Sequence, residues 1–249
     1  MTHPTTTHFG FSEVPFAEKV AKVKEVFDSV AGNYDLMNDL MSLGVHRLWK
    51  QFAIRRLRIR PGQSILDVAG GTGDLARLMH DRLEGRGMVT IYDINANMLE
   101  RGRNRLVDEG RIQGLYWAQG NAEELPFPDN TFHAVTIGFG IRNVTQMEAA
   151  FREMVRVLRP GGQLLCLEFS HLAIPFLQPL YDAYSFQVLP ELGHWVAKDR
   201  EAYQYLAESI RRFPDQAHVA HLLEECGLFG VHYHNLSAGI AAVHVGRKV

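Results

Sequence analysis

Ile65-Leu66-Asp67-Val68-Ala69-Gly70-Gly71-Thr72-Gly73-Asp74 runs an apolar segment straight into a glycine-rich turn, and Leu75–Leu83 beyond it carries apolar residues at helical spacing. Strand, glycine turn and helix in immediate succession decide the fold. Glycines at such a junction let the backbone turn sharply and let a ligand approach bare N–H groups at the start of a helix. The run also satisfies Gly71-x-Gly73-x-x-Ala76, and Asp93 lies 20 residues past Gly73, a pattern compatible with a dinucleotide site. The plain alternative is a tight turn that binds nothing.

Outward from this junction, short apolar runs alternate with helical periods. Ser64–Ala69, Met88–Tyr92, Leu115–Ala118, Phe132–Ile137 and Leu164–Phe169 read as strands, with helices over Leu75–Leu83, through Met98, Leu99 and Leu106, and along Ala150, Phe151, Met154, Val155 and Leu158. Thr145-Gln-Met-Glu148 has the form of a capping box for the last of these helices. Strands spaced by helices in this way are βαβ units, which build a parallel sheet covered on both faces. Before the core, Phe16, Val20, Val23, Phe27 and Val30 predict an amphipathic helix after a frayed start, and Leu48, Trp49, Phe52 and Leu57 predict a second. Residues 170–213 break the rhythm with Pro175, Pro179 and Pro190 among many aromatics, as an inserted lid would. A helix over Val219–Leu223 and strands near Val231–His234 and Ile240–Val245 close the chain. We read one domain over 1–249: a helical cap (1–60), a ligand-binding core (61–169), the lid (170–213) and a closing helix with two strands (214–249).

The 249 residues are 46% hydrophobic and 22% charged, with a net charge of −2. That balance argues against a nucleic-acid partner, which calls for a strongly basic domain. Cys166 and Cys226 lie in apolar runs and read as buried thiols of a reducing compartment. No run reaches the roughly 18 apolar residues of a membrane span and Met1–Gly10 lacks a signal peptide's regions, so the expected location is cytoplasmic. No Cys/His cluster has metal-site spacing, and no metal is expected.

Three features after the glycine turn choose among nucleotide ligands. Asp93, followed by Ile94, ends the second strand as an acceptor for ribose hydroxyls; Asn121-Ala122 follows the third; Gly138-Phe-Gly-Ile-Arg-Asn143 ends the fourth. With the glycine loop and Arg159-Pro-Gly-Gly162, these resemble a class I methyltransferase that uses S-adenosylmethionine. Gly44-Val-His-Arg-Leu-Trp-Lys50, Asn121-Ala-Glu-Glu-Leu-Pro-Phe-Pro-Asp-Asn-Thr-Phe132, Leu167-Glu-Phe-Ser170, Tyr181-Asp-Ala-Tyr-Ser-Phe186 and Tyr205-Leu-Ala-Glu-Ser-Ile-Arg211 extend the likeness. Together they resemble the ubiquinone/menaquinone biosynthesis C-methyltransferase family from about Phe9 to Val249.

The resemblance implies an α/β, Rossmann-like class I methyltransferase fold with a mostly parallel seven-stranded sheet. It implies S-adenosyl-L-methionine as cofactor, held by Asp67, Gly71, Thr72, Gly73, Asp93, Ile94, Asn121, Ala122 and Gly138. Two positions depart from the family: Gly138 stands where serine is usual and has no side chain to offer the cofactor, and His133 stands where aspartate is common, as a surface change. The implied substrate is a polyprenyl quinol, either the benzoquinol or demethylmenaquinol. The ring carbon becomes nucleophilic only in the reduced quinol, once a hydroxyl proton is lost. Arg142, as an always-charged guanidinium and so a poor base, suits stabilisation of the phenolate better than proton abstraction; its bland alternative is a salt bridge. Asn143, Tyr181 and Asp182 are the other catalytic candidates, with His171 and His194 as further titratable groups in the lid.

His46–Arg60 is a basic amphipathic stretch, read either as an ordinary helix covering the cofactor site or as a peripheral contact with the inner face of the cytoplasmic membrane. Expected partners extend to a homo-oligomer or a quinone-biosynthesis complex. The competing functions are a methyltransferase for another small aromatic, an NAD-dependent oxidoreductase, a nucleic-acid methyltransferase and a binding module without activity.

Overall fold

The computed structural model describes residues 6–30, 38, 39, 42, 44–174, 176, 178–191 and 199–249. A hairpin of β1 (Thr6–Phe9) and β2 (Ser12–Pro15) leads into α1 (Phe16–Val30), followed by α2 (His46–Ile54). The core then alternates: β3 (Gln63–Val68), α3 (Asp74–Leu83), β4 (Gly87–Asp93), α4 (Ala96–Asp108), β5 (Leu115–Gln119), β6 (Phe132–Gly138), α5 (Met147–Val157) and β7 (Leu158–Phe169). Next come α6 (Gln178–Ala183), which runs on through a π turn at Tyr184–Val188, α7 (Arg200–Arg212), α8 (Gln216–Glu225), β8 (Leu228–Leu236) and β9 (Ala241–Lys248).

Strands β3 to β9 form one seven-stranded sheet in the order β5-β4-β3-β6-β7-β9-β8, parallel from β5 to β7. β9 lies antiparallel between β7 and β8. Alternation along the strands sends neighbouring side chains to opposite faces. Ile65, Leu165 and Leu167 join Trp49, Ala53, Met79, Leu106 and Leu206 in one core cluster. Leu66, Leu164 and Cys166 join Phe151, Met154, Val219 and Leu223 in the other, which also holds Cys226. Both cysteines are free and buried. With apolar side chains on both faces, a strand such as Leu164-Leu-Cys-Leu reads as a continuous hydrophobic run, as buried parallel strands do.

The chain leaves β3 toward β4 and β5, then returns to place β6 on the other side of β3, with Asp67 opposite Thr136 and Val68 opposite Ile137. The order therefore reverses between β3 and β6, and a crevice opens at their carboxyl ends.

Four expectations are corrected. The expected frayed start forms the β1–β2 hairpin from Thr6 onward, held because Phe9 stacks on Tyr205 with ring centroids 4.2 Å apart and the Phe11 N–H donates to Glu208 Oε2. The capping box does not form: Glu123 Oε1, from the turn after β5, takes the N–H groups of both Thr145 and Gln146, leaving the Thr145 hydroxyl buried with no partner among the described residues. Glu148 instead pairs with Arg152 on the exposed side of α5. Leu158 belongs to β7 rather than to the helix before it, because it pairs with Phe132. His133 is a joint between strands rather than a loose surface change: its Nδ1 accepts the Ser64 N–H, and burial together with Arg159 lowers its pKa.

Candidate active site

The crevice at the β3–β6 reversal is an open, mostly apolar cavity, as small-ligand sites are. Its walls carry six of the nine residues expected to hold the cofactor: Gly71, Asp93, Ile94, Asn121, Ala122 and Gly138. Gly71 has φ +52°, and its N–H donates to Asp93 Oδ2 at 2.8 Å, tying the glycine turn to the end of β4. Asp93 Oδ1 accepts the Asn95 N–H at 2.8 Å. Burial raises the Asp93 pKa, and the N–H groups of Asn95 and Gly71 oppose that rise. A carboxylate has about four acceptor positions, and the N–H groups of Asn95, Gly71 and Ile94 do not fill them, so acceptor capacity remains for a ribose hydroxyl. The Asn121 side-chain oxygen accepts the Glu123 N–H at 3.1 Å, which leaves its NH₂ as the unengaged end of that amide. Val20, Val23 and Phe27 of α1 roof the cavity, a contribution unmarked by any motif. At Gly138 a Cβ would come within 2.6 Å of Leu75 Cδ1; Leu75 fills the space that a serine would need.

The other three expected cofactor residues lie elsewhere. Gly73 begins α3 at φ +81°, where a Cβ would meet Leu106 Cδ1 at 3.0 Å, so it serves helix packing. Asp67 and Thr72 line a smaller adjoining cavity with Lys50 and Asp74. Asp67 is fully buried; its Oδ1 accepts from Thr136 Oγ1 at 2.6 Å, while Oδ2 has no partner among the described residues. Burial pushes its carboxyl up to about 7, against the Thr136 and Ala76 hydrogen bonds. Asp74 behaves oppositely: burial acts to raise it, yet Lys50 and Arg105, each 2.6 Å away, hold it well below the usual carboxylate range. Arg105 also donates to the Thr72 carbonyl, fixing the turn from behind. Lys50 and Arg105 were not anticipated from sequence.

At the end of β6, the turn Ile141–Asn143 sets two of the catalytic candidates beside each other. The Arg142 guanidinium is 4% exposed and pairs with Glu168 Oε1 at 2.6 Å, so the salt bridge foreseen as its alternative is present. The same nitrogen donates to the Phe139 carbonyl, and the guanidinium carbon lies 5.3 Å from the Phe169 ring centre. Burial raises Glu168 and Arg142 opposes it. Asn143 lines the cofactor cavity, and its Oδ1 accepts from the Tyr205 hydroxyl at 2.9 Å.

A second cavity is lined by Ser170, His171, Tyr181, Tyr184, Leu189 and Arg211. Burial raises Tyr181 against the nearby Arg211 and Arg142 charges. Asp182 does not line this cavity; it pairs with Arg211 and accepts from Gln178. His171 Nε2 is engaged by the Phe213 carbonyl at 2.6 Å, and His194 lies outside the described residues. Glu168 and Tyr205 were missed as site residues although each stood in a quoted motif. The available signal was an acid inside the apolar strand Leu164-Leu-Cys-Leu-Glu168-Phe, since a buried charge requires a partner.

The residues suit S-adenosylmethionine. An acid with spare acceptor positions stands at one end for a ribose, and an orphaned carboxylate oxygen on Asp67 lies close to the turn for a cationic ligand. A dinucleotide-binding Rossmann sheet has the order 3-2-1-4-5-6. Here the reversed β9 inserted between β7 and β8 sets the sheet apart. Fold and site define a class I S-adenosylmethionine-dependent methyltransferase, in place of the NAD-dependent alternative.

The chain belongs to the ubiE/COQ5 methyltransferase family, which it matches over residues 16–248. It is 55% identical over 243 residues to the ubiquinone/menaquinone biosynthesis C-methyltransferase UbiE of Legionella pneumophila (strain Corby), covering 98% of this chain and 97% of that one. Against the protein of the same name from Hahella chejuensis it is 53% identical over the full length of both. A solved SAM-dependent methyltransferase from Thermotoga maritima shares the fold at a TM-score of 0.64 and 18% identity, over 90% of this chain and 99% of that one. Among the described residues no helix is long and apolar enough to cross a membrane, and no cluster of His, Cys, Asp or Glu is arranged to hold a metal ion.

Proposed function

We propose that this enzyme transfers a methyl group to a ring carbon of a reduced polyprenyl quinol, benzoquinol or demethylmenaquinol, in ubiquinone and menaquinone biosynthesis. The observation that carries the reading is Asn143 on the cofactor-cavity wall, held by Tyr205, with the buried Arg142–Glu168 pair next to it at the carboxyl edge of the sheet. Bound S-adenosylmethionine supplies an electrophilic methyl group on a sulfonium. Asp93 would hold its ribose, Asn121 and Ala122 its adenine, and the turn at Gly71–Thr72 its methionine part.

The remaining task of the chain is to make a ring carbon nucleophilic and to keep water out. Loss of a quinol hydroxyl proton pushes charge onto the ring, and a fixed guanidinium charge favours that phenolate. Because Tyr205 donates to the Asn143 oxygen, the Asn143 NH₂ is the end left to donate to a ring oxygen. Glu168 holds the guanidinium in place, and the rings of Trp49, Phe139 and Phe169 pack around this region as an apolar wall. Tyr181 would contact the substrate in the second cavity, while Asp182 fixes α6 to α7 through Arg211. A polyprenyl substrate resides in lipid, so the enzyme would meet the membrane peripherally.

The test is incubation with methyl-labelled S-adenosylmethionine and a short-chain demethylmenaquinol or benzoquinol kept reduced, followed by mass analysis of the ring. The expected result is one labelled methyl on ring carbon and none when the oxidised quinone is supplied. Label on oxygen, or turnover of the oxidised ring, would overturn it.

A further inference from the structure

Several arginines of the fold are paired: Arg105, Arg111, Arg142 and Arg156 each lie within hydrogen-bond distance of a carboxylate. One face gathers four that are not. Arg55, Arg56, Arg58 and Arg247 line a single cleft between the end of α2 and strands β8 and β9, with His232 and His234 in the same wall and no Asp or Glu. All four arginines are exposed, and none has a carboxylate partner among the described residues. In a chain of net charge −2, four unneutralised cations in one cleft form a local anion site.

The cleft continues into an apolar trough. Arg55 is common to both, and the trough is walled by Val45, Leu48, Phe52 and Leu236. Leu48 is 63% exposed, and Phe229, on the far rim of the cleft, is 73% exposed. The Arg56 guanidinium carbon lies 4.3 Å from the Phe52 ring centre, at the junction of the charged and apolar parts. An apolar trough ending among free guanidinium groups is complementary to an amphiphile with an anionic head.

We propose that this face docks on a bilayer containing anionic phospholipid, the phosphates meeting Arg55, Arg58 and Arg247 while Leu48 and Phe229 enter the interface. Choosing lipid over another polyanion rests on the quinol reading above and on the trough, which a nucleic acid would leave unfilled. The opposite side of α2 faces the reaction site. Trp49, which also reaches the trough, packs against Phe139 and Phe169, and Lys50 lies 5.9 Å from the Phe139 ring centre, Phe139 being part of the cofactor-cavity wall. One helix thus separates the lipid face from the site that a lipid-borne ring must reach.

The test is flotation of the full chain with vesicles of phosphatidylcholine alone or with about one-third phosphatidylglycerol. Binding is expected only with the anionic vesicles, weakening as salt screens the contact. A triple variant, Arg55→Glu, Arg58→Glu and Arg247→Glu, should bind at least about 100-fold more weakly, since each arginine near an anionic surface contributes about fivefold. Its S-adenosylhomocysteine affinity and its turnover of a short-chain soluble quinol should stay as in the unmodified chain, while turnover of a long-tailed quinol embedded in anionic vesicles falls. Leu48→Ser with Phe229→Ser should remove the part of the binding that survives high salt. Equal flotation with neutral vesicles, flotation of the triple variant like the unmodified chain, or retention on duplex DNA without vesicle binding would overturn the proposal. Turnover of the soluble quinol reports separately on the quinol reading, whatever the vesicles show.

Discussion

Asp67 shows how a residue can be plain in sequence and still gain its character from the fold. It is the acid before the glycines, and burial pushes its carboxyl up to about 7 from an ordinary 3.8. In the folded chain it holds a proton that the unfolded chain has released between those values. Its contribution to stability is therefore fully present below about pH 4, declines as pH rises toward 7, and stays low above; over that span the change amounts to about 4 kcal/mol. Asp67→Asn removes the titration, so the difference in urea-unfolding free energy between variant and parent should move in favour of the variant from pH 4.5 to pH 8. A difference that is level with pH would show that Asp67 does not titrate in this range. Arg142 was also visible, at a strand end where ligands bind, but its partners were not: Glu168 lies 26 residues away in sequence. Arg142→Ala is expected to reduce kcat by about 10²-fold with S-adenosylhomocysteine affinity changed only a few-fold. It should also destabilise the chain by about 3–5 kcal/mol, by leaving a buried carboxylate alone. Arg142→Lys, which keeps the charge without the planar fork, should fall between in kcat. Near-normal kcat in the alanine variant would remove Arg142 from the chemistry.

Elements with strong periodicity, such as β3, α3 and α5, were readable because apolar spacing repeats over whole turns or strands. Their joints were not, since a joint depends on which distant group reaches an unpaired N–H. The start of α5 illustrates this. Thr145-x-x-Glu148 satisfies the local rule for a capping box, yet Glu123 arrives from the turn after β5 and takes both the Thr145 and Gln146 N–H groups. Glu123 is also within the electrostatic reach of the buried Lys19, whose Nζ donates to the Val144 carbonyl. Glu123→Ala should therefore cost about 1–2 kcal/mol, as the loss of a helix cap does. Thr145→Ala should cost nothing or stabilise slightly, because among the described residues its buried hydroxyl has no partner to lose. Thermal or urea unfolding of the two variants checks this, and the reverse ranking would restore the local capping box. The β1–β2 hairpin escaped sequence reading for the same reason: its strands are four residues each, and what orders them is Phe9 on Tyr205 of α7, nearly two hundred residues on.

Across the whole molecule, a mostly parallel seven-stranded sheet could be anticipated from βαβ units and a family resemblance, but the pieces that close the cofactor cavity could not. α1 is the clearest case. Its apolar period marks it as a helix, and of its described side chains only Lys19 and Val23 are buried, so packing alone gives it little hold. Three polar ties supplement that packing: Lys19 to the Val144 carbonyl, Asp28 to the side chains of Asn95 and Asn97, and Ser29 to Asp199. The first two join α1 to the turn before α5 and to the start of α4, on either side of the cavity that Val20, Val23 and Phe27 roof. An element with few buried contacts opens at low free energy, and a ligand beneath it should suppress that opening. S-adenosylhomocysteine at 100 times its dissociation constant adds about 2.7 kcal/mol. For a chain of this size that should raise Tm by about 5–10 °C. Amide hydrogen exchange locates the effect. Protection is expected to rise by up to about 100-fold over residues 16–30, 71–74 and 93–98, because opening α1 must now release the ligand. Residues 228–248 of β8 and β9, remote from the cavity, should exchange as before. If Tm rises while residues 16–30 exchange unchanged, the ligand binds without α1 above it, and α1 is a neighbour of the site rather than its roof.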